Sequence, residues 1–255
     1  MLSLNNVSVD IAGAPVLRNV SVELKSARTY AVVGRNGAGK TTLLRTIMGF
    51  TTLRSGAITL AGTGLLTQPA YRRAALGVGY APEERVLFPT MTVLDNLRLP
   101  CEAIGLKSAE IERRVQLAIE VVPQIKEMLP RSAAALSGGQ GKMAALARAV
   151  MVGTRLLMVD EPFQGLAPAL ARQYAEALSR MYRLQPELCM VITESNRSLL
   201  DRVQCTTLSL ERGELTVEEE TASVTSVSAI FIPNEEDLTP AHNVTSLRSS
   251  PGFSN

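Results

Sequence analysis

Gly34-Arg35-Asn36-Gly37-Ala38-Gly39-Lys40-Thr41, with Thr42 behind it, fits the pattern G-x-x-x-x-G-K-[ST]. Its flanks fit too. Thr29-Tyr30-Ala31-Val32-Val33 is a short apolar, β-prone run that reads as a buried strand. On the far side Leu43, Leu44, Ile47 and Met48 recur at helical spacing up to Gly49, a helix stop. Strand, glycine-rich turn and helix start form the setting a phosphate loop needs. Glycines let the backbone curl so that N–H groups face a phosphate, and the helix N-terminus adds its positive dipole end. In such a loop Gly34, Asn36, Gly37, Ala38 and Gly39 surround the phosphates and Lys40 reaches the β- and γ-phosphates. Thr41 ligates Mg²⁺, and Thr42 bonds the α-phosphate. The lysine, the hydroxyl and both flanks weigh against a glycine-rich turn that binds nothing.

At 255 residues the chain has room for one large α/β domain, or one domain and a tail, and its 46% hydrophobic share is that of an ordinary globular protein. A formal charge of +2 gives no footing for nucleic acid or an anionic membrane as the main partner. Cys101, Cys189 and Cys205 stand far apart in no ligand spacing, which fits reduced thiols in a cytosolic protein. The N-terminus lacks a basic region ahead of an apolar run, so no signal segment is expected. No uninterrupted apolar run approaches the roughly 18 residues of a membrane span. A membrane role must therefore come through a partner.

Residues 2–10 and 16–24 alternate apolar and polar and read as half-exposed strands joined across a turn at 12–15. After the phosphate-loop unit, Ser55-Gly56 marks a turn before a strand at 57–60, and Gly62 and Gly64 predict a loose link. Residues 76–81 read as a core strand, and Thr92 as the N-cap of a helix carrying Val93, Leu94 and Leu97. The spacing predicts a helix over 108–129 and an Ala-rich helix over 142–151. It also predicts a central strand over 156–160, a helix opened by Pro168 and running to Leu184, and a buried strand over 189–193. A short helix at 198–202 and a hairpin around Arg212-Gly213 complete the pattern. Strands alternating with helices imply a parallel sheet with ligand at the carboxyl ends of its strands. From Glu218 three glutamates lead into Ser/Thr-rich sequence, so 218–255 reads as a disordered tail whose one apolar patch is Ala229-Ile230-Phe231-Ile232.

Asp160 and Glu161 close the apolar strand and suit separate tasks. An Asp at a strand end beside a phosphate loop holds Mg²⁺, and the next Glu polarises a water for attack on the γ-phosphorus. Alone, the pair would also fit two solvated acids at a strand end. Leu136-Ser137-Gly138-Gly139-Gln140 places a serine and two glycines at a helix start, offering a hydroxyl and N–H groups to an anion; alone, it also fits a plain helix cap.

The three elements in this order resemble an ABC (ATP-binding cassette) ATPase over roughly residues 1–217. The resemblance implies a P-loop NTPase fold with a mixed central sheet, an antiparallel N-terminal β subdomain and an inserted α-helical subdomain at about 90–150. It implies two cassettes, this one and a copy or homologue, pairing head to tail. Each ATP would then lie between one phosphate loop and the other's Ser137, Gly138, Gly139 and Gln140. The finer resemblance, carried by residues 34–49, Pro82-Glu83, Phe88-Pro89 and Glu161-Pro162, is to the ATPase subunits of branched-chain amino acid importers and their urea-importing relatives. It implies two transmembrane permease subunits, met through 83–135, and a solute-binding protein acting through them. It also implies a peripheral position on the cytoplasmic face of the plasma membrane. Glu83 stands where most cassettes carry a glutamine that links Mg²⁺ to the permeases.

The chain departs from the pattern at three places. The switch histidine is absent, and Ser195 of Thr193-Glu194-Ser195-Asn196 takes its place, a hydroxyl that bonds phosphate but carries no cationic form. Ile11 and Ala12 sit where an adenine-stacking tyrosine is usual, which weakens base binding by ~1 kcal/mol. Ala167 replaces an aspartate after Glu161. Two other readings compete: a soluble ABC ATPase without a membrane partner, and a regulatory cassette that binds without hydrolysing. The first lacks the second cassette or coiled coil such proteins carry, and Glu161 weighs against the second. If Ser195 occupies the switch, Ser195→His raises steady-state ATP turnover, and equal or lower turnover in a phosphate-release assay contradicts that placement.

Overall fold

The computed structural model describes residues 1–84, 87–200 and 203–217. The chain divides into two units, Met1–Glu219 and Glu220–Asn255. The tail expected at 218–255, with its patch at 229–232, lies outside the described residues, as does the end of the helix expected at 198–202.

The alternating N-terminal segments form β1 (Leu2–Ile11) and β2 (Ala14–Leu24), antiparallel, with Leu2 opposite Leu24 and Val9 opposite Leu17. Their turn is tighter than the sequence suggests. Only Ala12 and Gly13 lie outside the strands, both at positive φ (49° and 81°), the signature of a two-residue hairpin matched to strand twist. On its other edge β1 pairs with β4 (Ser55–Leu60), which begins at the expected turn Ser55-Gly56. The link expected to be loose instead pairs with β4 as β5 (Thr63–Gly64), giving the order β2-β1-β4-β5.

The second sheet contains β3 (Arg28–Val33), β6 (Val78–Ala81), β7 (Leu156–Asp160), β8 (Cys189–Glu194), β9 (Thr206–Glu211) and β10 (Glu214–Val217). Its order is β10-β9-β3-β8-β7-β6, parallel throughout except for the antiparallel edge strand β10. Every residue of β7 and β8 is buried, as a parallel sheet covered on both faces requires. Strand alternation divides the interior in two. Tyr30, Val32, Leu156, Met158, Cys189 and Val191 face one core, shared with β1, β2, β4 and the helix α1 (Lys40–Met48). Ala31, Leu157, Val159, Met190 and Ile192 face the other. That second core is built by α2 (Val93–Ala103), α3 (Ser108–Val121), α4 (Gly138–Val150) and α5 (Pro168–Leu184).

Local chemistry explains where the helices start and stop. Thr92 caps α2 in a reciprocal box with Asp95, its Oγ1 accepting from the Asp95 N–H at 3.1 Å. The helix expected over 108–129 ends at Val121, because Pro123 cannot donate an N–H, and the chain continues as a 3₁₀ turn over Pro123–Met128. The helix expected from Lys142 begins earlier, at Gly138, because Ser137 is its cap. Residues 76–81 yield a strand only from Val78, since Gly77 at φ 83° turns the chain into it.

Arg73 is 2% exposed and fastens the end of α1. Its Nε donates to the Ile47 carbonyl (2.8 Å), Nη1 to that of Gln68 (3.1 Å) and Nη2 to that of Leu65 (2.9 Å). The Ile47 carbonyl is one of those a helix C-terminus leaves without a partner, and the cation also meets the negative dipole end there. Arg73→Met fits the space but strands buried carbonyls. A loss of about 3 kcal/mol is expected, read as a lower urea midpoint at unchanged m-value.

Candidate functional site

Strands β3, β7 and β8 run parallel with Val33 opposite Glu194 and Asp160 opposite Thr193, so the residues that follow them emerge side by side. The loop after β3 carries Gly34, Arg35, Asn36, Gly37, Ala38 and Gly39 into α1. Gly37 (φ 82°) and Gly39 (φ 109°) occupy the left-handed region that the tight curl demands. Gly34 is needed for a different reason: a Cβ there would stand 2.2 Å from the Leu210 carbonyl oxygen of β9. The hairpin turn between β9 and β10 braces the loop from behind, the Gly213 N–H donating to the Ala38 carbonyl at 3.2 Å.

Lys40 is 5% exposed, and its ammonium is the hub of the site. It donates to the Gly34 carbonyl (2.6 Å) and to Ser195 Oγ (3.0 Å), and pairs with Glu161 Oε1 at 3.0 Å. Ser195 Oγ lies 2.6 Å from both Glu161 Oε1 and Asn36 Oδ1, and its single proton serves one of them at a time. The Ser195 N–H donates to Glu161 Oε2 at 3.1 Å. Asp160, one residue earlier, has a separate set of partners. Its Oδ1 accepts from Thr41 Oγ1 (3.3 Å) and Thr193 Oγ1 (2.6 Å), and its Oδ2 from the Tyr80 hydroxyl (3.2 Å).

A cavity of about 410 Å³ opens over these groups, lined by Asn36, Gly37, Gly39, Lys40, Thr41 and Thr42, and further by Val16, Glu83, Glu161 and Gln164. Val16, rather than Ile11 or Ala12, is the N-terminal residue on its wall; Ile11 is 44% exposed. A groove of about 640 Å³ adjoins it, with Thr41 and Glu83 on both walls and Asp160 and Tyr80 on its own. Ser137, Gly138, Gly139 and Gln140 do not line the cavity. They form the first turn of α4, Ser137 Oγ accepting from the Gln140 N–H (3.3 Å) and Gln140 Oε1 from the Ser137 N–H (3.1 Å). Ser137 and Gly138 are exposed.

Four residues join the site with no motif to announce them. Tyr80 and Thr193 hold Asp160, as above. Lys142 Nζ donates to the carbonyls of Glu161 and Gln164, both at 2.8 Å. Glu194, 1% exposed, accepts from the Phe163 N–H at 3.0 Å and hydrogen-bonds Glu161 carboxyl to carboxyl. Burial, with the Glu161 charge and hydrogen bond beside it, pushes Glu194 up to about 8, so it holds a proton at neutrality. Burial alone would raise Glu161 too, but hydrogen bonds from Ser195, Lys40 and Glu194 outweigh it and hold that carboxyl below its ordinary value. Burial lowers Lys142, against the pull of Glu83, Glu194, Glu161 and Asp160. Burial and the Asp160 charge raise the Tyr80 phenol.

The oxygen donors of Thr41, Asp160 and Glu83 suit a hard cation such as Mg²⁺. Among the described residues no three His, Cys, Asp or Glu side chains gather as a metal cage of their own.

The family model described as ABC transporter matches residues 17–164. The chain is 33% identical over 201 residues to the high-affinity branched-chain amino acid transport ATP-binding protein of Pseudomonas aeruginosa, covering 78% of this chain and 84% of that one. It is 33% identical over 247 residues to an Fe(3+) ions import ATP-binding protein of Pectobacterium atrosepticum, covering 93% of this chain and 66% of the relative. A solved ATP binding subunit of an ABC transporter matches with a TM-score of 0.73 at 26% identity, over 85% of this chain and 90% of that one.

The raised Glu194 has a thermodynamic consequence. With a folded value near 8 against an ordinary 4.5, the folded chain binds more protons than the unfolded one between those values. Its contribution to stability is complete below the lower value and is lost as pH rises through the upper one. The melting temperature is therefore expected to fall between pH 5 and pH 8. Glu194→Gln, which keeps an acceptor for Phe163 and a donor for Glu161, flattens that slope in a calorimetric series.

Proposed function

The chain belongs to the ABC transporter family and is an ATPase of that type, and we propose that it powers solute import as the nucleotide-binding subunit of a membrane complex. We infer that the class of solute is that of the branched-chain amino acid and urea importers, which residues 34–49 and 161–162 resemble; a relative's name supports the branched-chain amino acid part. Among the described residues no helix is long and apolar enough to cross a membrane. The likeness to importer ATPase subunits supports a peripheral place on the cytoplasmic face, with lipid reached through two permease subunits. Support for their docking place comes from the groove beside the cavity. Met48, Phe50, Tyr71, Ala74, Val78 and Pro100 line it, and Phe50 (52% exposed) and Tyr71 (76%) stand open at its edge.

The observation that carries the reading is the constellation of Lys40, Glu161 and Ser195 over the phosphate loop. Lys40 takes the β- and γ-phosphates, and the loop backbone with Thr42 holds the rest of the chain of phosphates. Glu161, kept ionised by its neighbours, orients and deprotonates the attacking water. Ser195 bonds both Glu161 and Lys40 and so keeps the base and the phosphate-binding cation in one frame. Thr41, Asp160 and Glu83 would hold Mg²⁺, which when bound neutralises phosphate charge. Ser137 and Gly138 would serve a second cassette's nucleotide, a reading that their exposure, off the cavity, supports. Two such cassettes, clamped over two ATPs, part when the γ-phosphate leaves, because the charge that held their faces together is gone.

In the complex captured from detergent-solubilised membranes with its permeases, Glu161→Gln lowers ATP turnover at least about a hundredfold while ATP binding persists. An unchanged rate would place the chemistry elsewhere.

A further inference from the structure

Glu161 stands in the left-handed backbone region, with φ 45°. A residue with a side chain stays there only where its surroundings hold it. Two holds are visible. On the amide side, the Glu161 N–H donates to the Thr193 carbonyl and to Thr193 Oγ1, both at 3.1 Å, which ties it to β8. On the carbonyl side the hold comes from a different layer of the fold: Lys142, on α4, donates from Nζ to the Glu161 carbonyl at 2.8 Å. The same ammonium donates to the Gln164 carbonyl at 2.8 Å and so grips both ends of the turn that carries the acid away from β7. The carboxyls of Glu83, Glu194, Glu161 and Asp160 all act on this one cation.

Lys142 also lies close to the turn Ser137-Gly138-Gly139-Gln140, five residues after Ser137 on the same helix. That turn is packed tightly on the segment following Glu161. A Cβ at Gly139 would meet Leu170 Cδ2 at 1.8 Å and Leu166 Cδ2 at 3.4 Å. Helix α4 is therefore joined to the 161–164 turn by one ammonium, and to the chain just beyond it by the packing of Gly139 on Leu166 and Leu170.

We propose that Lys142 is the positioning residue for Glu161, fixing its strained backbone from α4 and thereby setting where the carboxylate lies relative to Lys40. This rests on the reading of Glu161 as the hydrolytic base. In a paired assembly, Ser137 touches one nucleotide while Glu161 serves the other. A shift of α4 when the first site fills is delivered through Lys142 to the base of the second. The acid thus takes its working place in step with closure.

The test uses the complex captured with its permeases, with ATP affinity measured by equilibrium binding and chemistry by single-turnover phosphate release. Lys142→Met is expected to lower the rate of chemistry about tenfold or more while ATP affinity and KM stay within about twofold. Lys142→Arg, which keeps two donors on one cation, restores most of the rate. In a Glu161→Gln background the same Lys142→Met change costs nothing further, because its effect passes through the missing carboxylate. A Lys142→Met rate equal to wild type overturns the proposal. So does a rate loss of the same size in the Glu161→Gln background, or a loss that appears only in KM. If Lys142→Met fails to fold, as judged by its melting transition, Lys142→Gln is put through the same comparisons and decides on the same terms. A full-rate Glu161→Gln would instead remove the reading of the base. A slow Glu161→Gln beside a wild-type Lys142→Met removes the clamp alone.

Discussion

Strands β3, β8 and β7 end at one level, Val33 beside Glu194 and Thr193 beside Asp160, and the phosphate site exists because they do. Each contributes the residues just beyond its carboxyl end: Gly34 to Lys40 from the first, Ser195 from the second, Glu161 from the third. A slip of one residue in either pairing would displace a functional group by about 3.3 Å. It would also turn each strand over, sending Leu157 and Val159 into the core that Leu156 and Met158 now fill. Two apolar interiors, one on each face of the sheet, thus hold the register to which the chemistry is pinned. Close approaches of backbone do the rest: Gly34 against β9, and Gly79, where a Cβ would lie 2.2 Å from the Ala149 carbonyl of α4.

Much of this architecture could be read from the residues. The phosphate loop with its flanking strand and helix, the acid-ended strand 156–160 and the C-terminal hairpin all carry local signals: glycines, periodicity, caps. Local signals also explain the misreadings. Pro123 is a helix breaker inside an apolar spacing that continues past it to Leu129. Ser137 and Gln140 spell a capping box, yet the apolar period of α4 becomes visible only later, from Lys142. Tyr80, Lys142, Thr193 and Glu194 were not legible as site residues at all. Each acts through a contact made by the sheet or by packing across layers, and nothing in the neighbouring sequence distinguishes Lys142 from a solvated helix lysine. Val16 belongs with them, a strand residue whose side happens to face the cavity.

The site also shows how two acids adjacent in sequence acquire different chemistry. Asp160 is surrounded by hydroxyls from Thr41, Tyr80 and Thr193, donors suited to a fixed carboxylate that keeps its place. Glu161 is surrounded by an ammonium, a hydroxyl and a protonated acid, groups that stabilise its charge while leaving it near the phosphate loop. The contacting acids Glu161 and Glu194 are driven apart by their environments, the first lowered and the second raised, which is the usual mark of divided labour in a catalytic site. Ser195 supplies part of this division with one short hydroxyl, so Glu161 and Lys40 are bridged without any further cation.

Thr41 and Glu83 form a party wall: one side faces the cavity over the glycine-rich loop, the other the apolar groove. Tyr80, also in the groove, has its hydroxyl on Asp160. Whatever occupies the groove and moves that wall alters the grip on nucleotide. Linkage then requires nucleotide to alter the grip on the groove's occupant by the same factor. The traffic is two-way by thermodynamic necessity. A tenant that tightened ATP binding would be let go more readily once the γ-phosphate had departed, and the same shared partition would carry both messages.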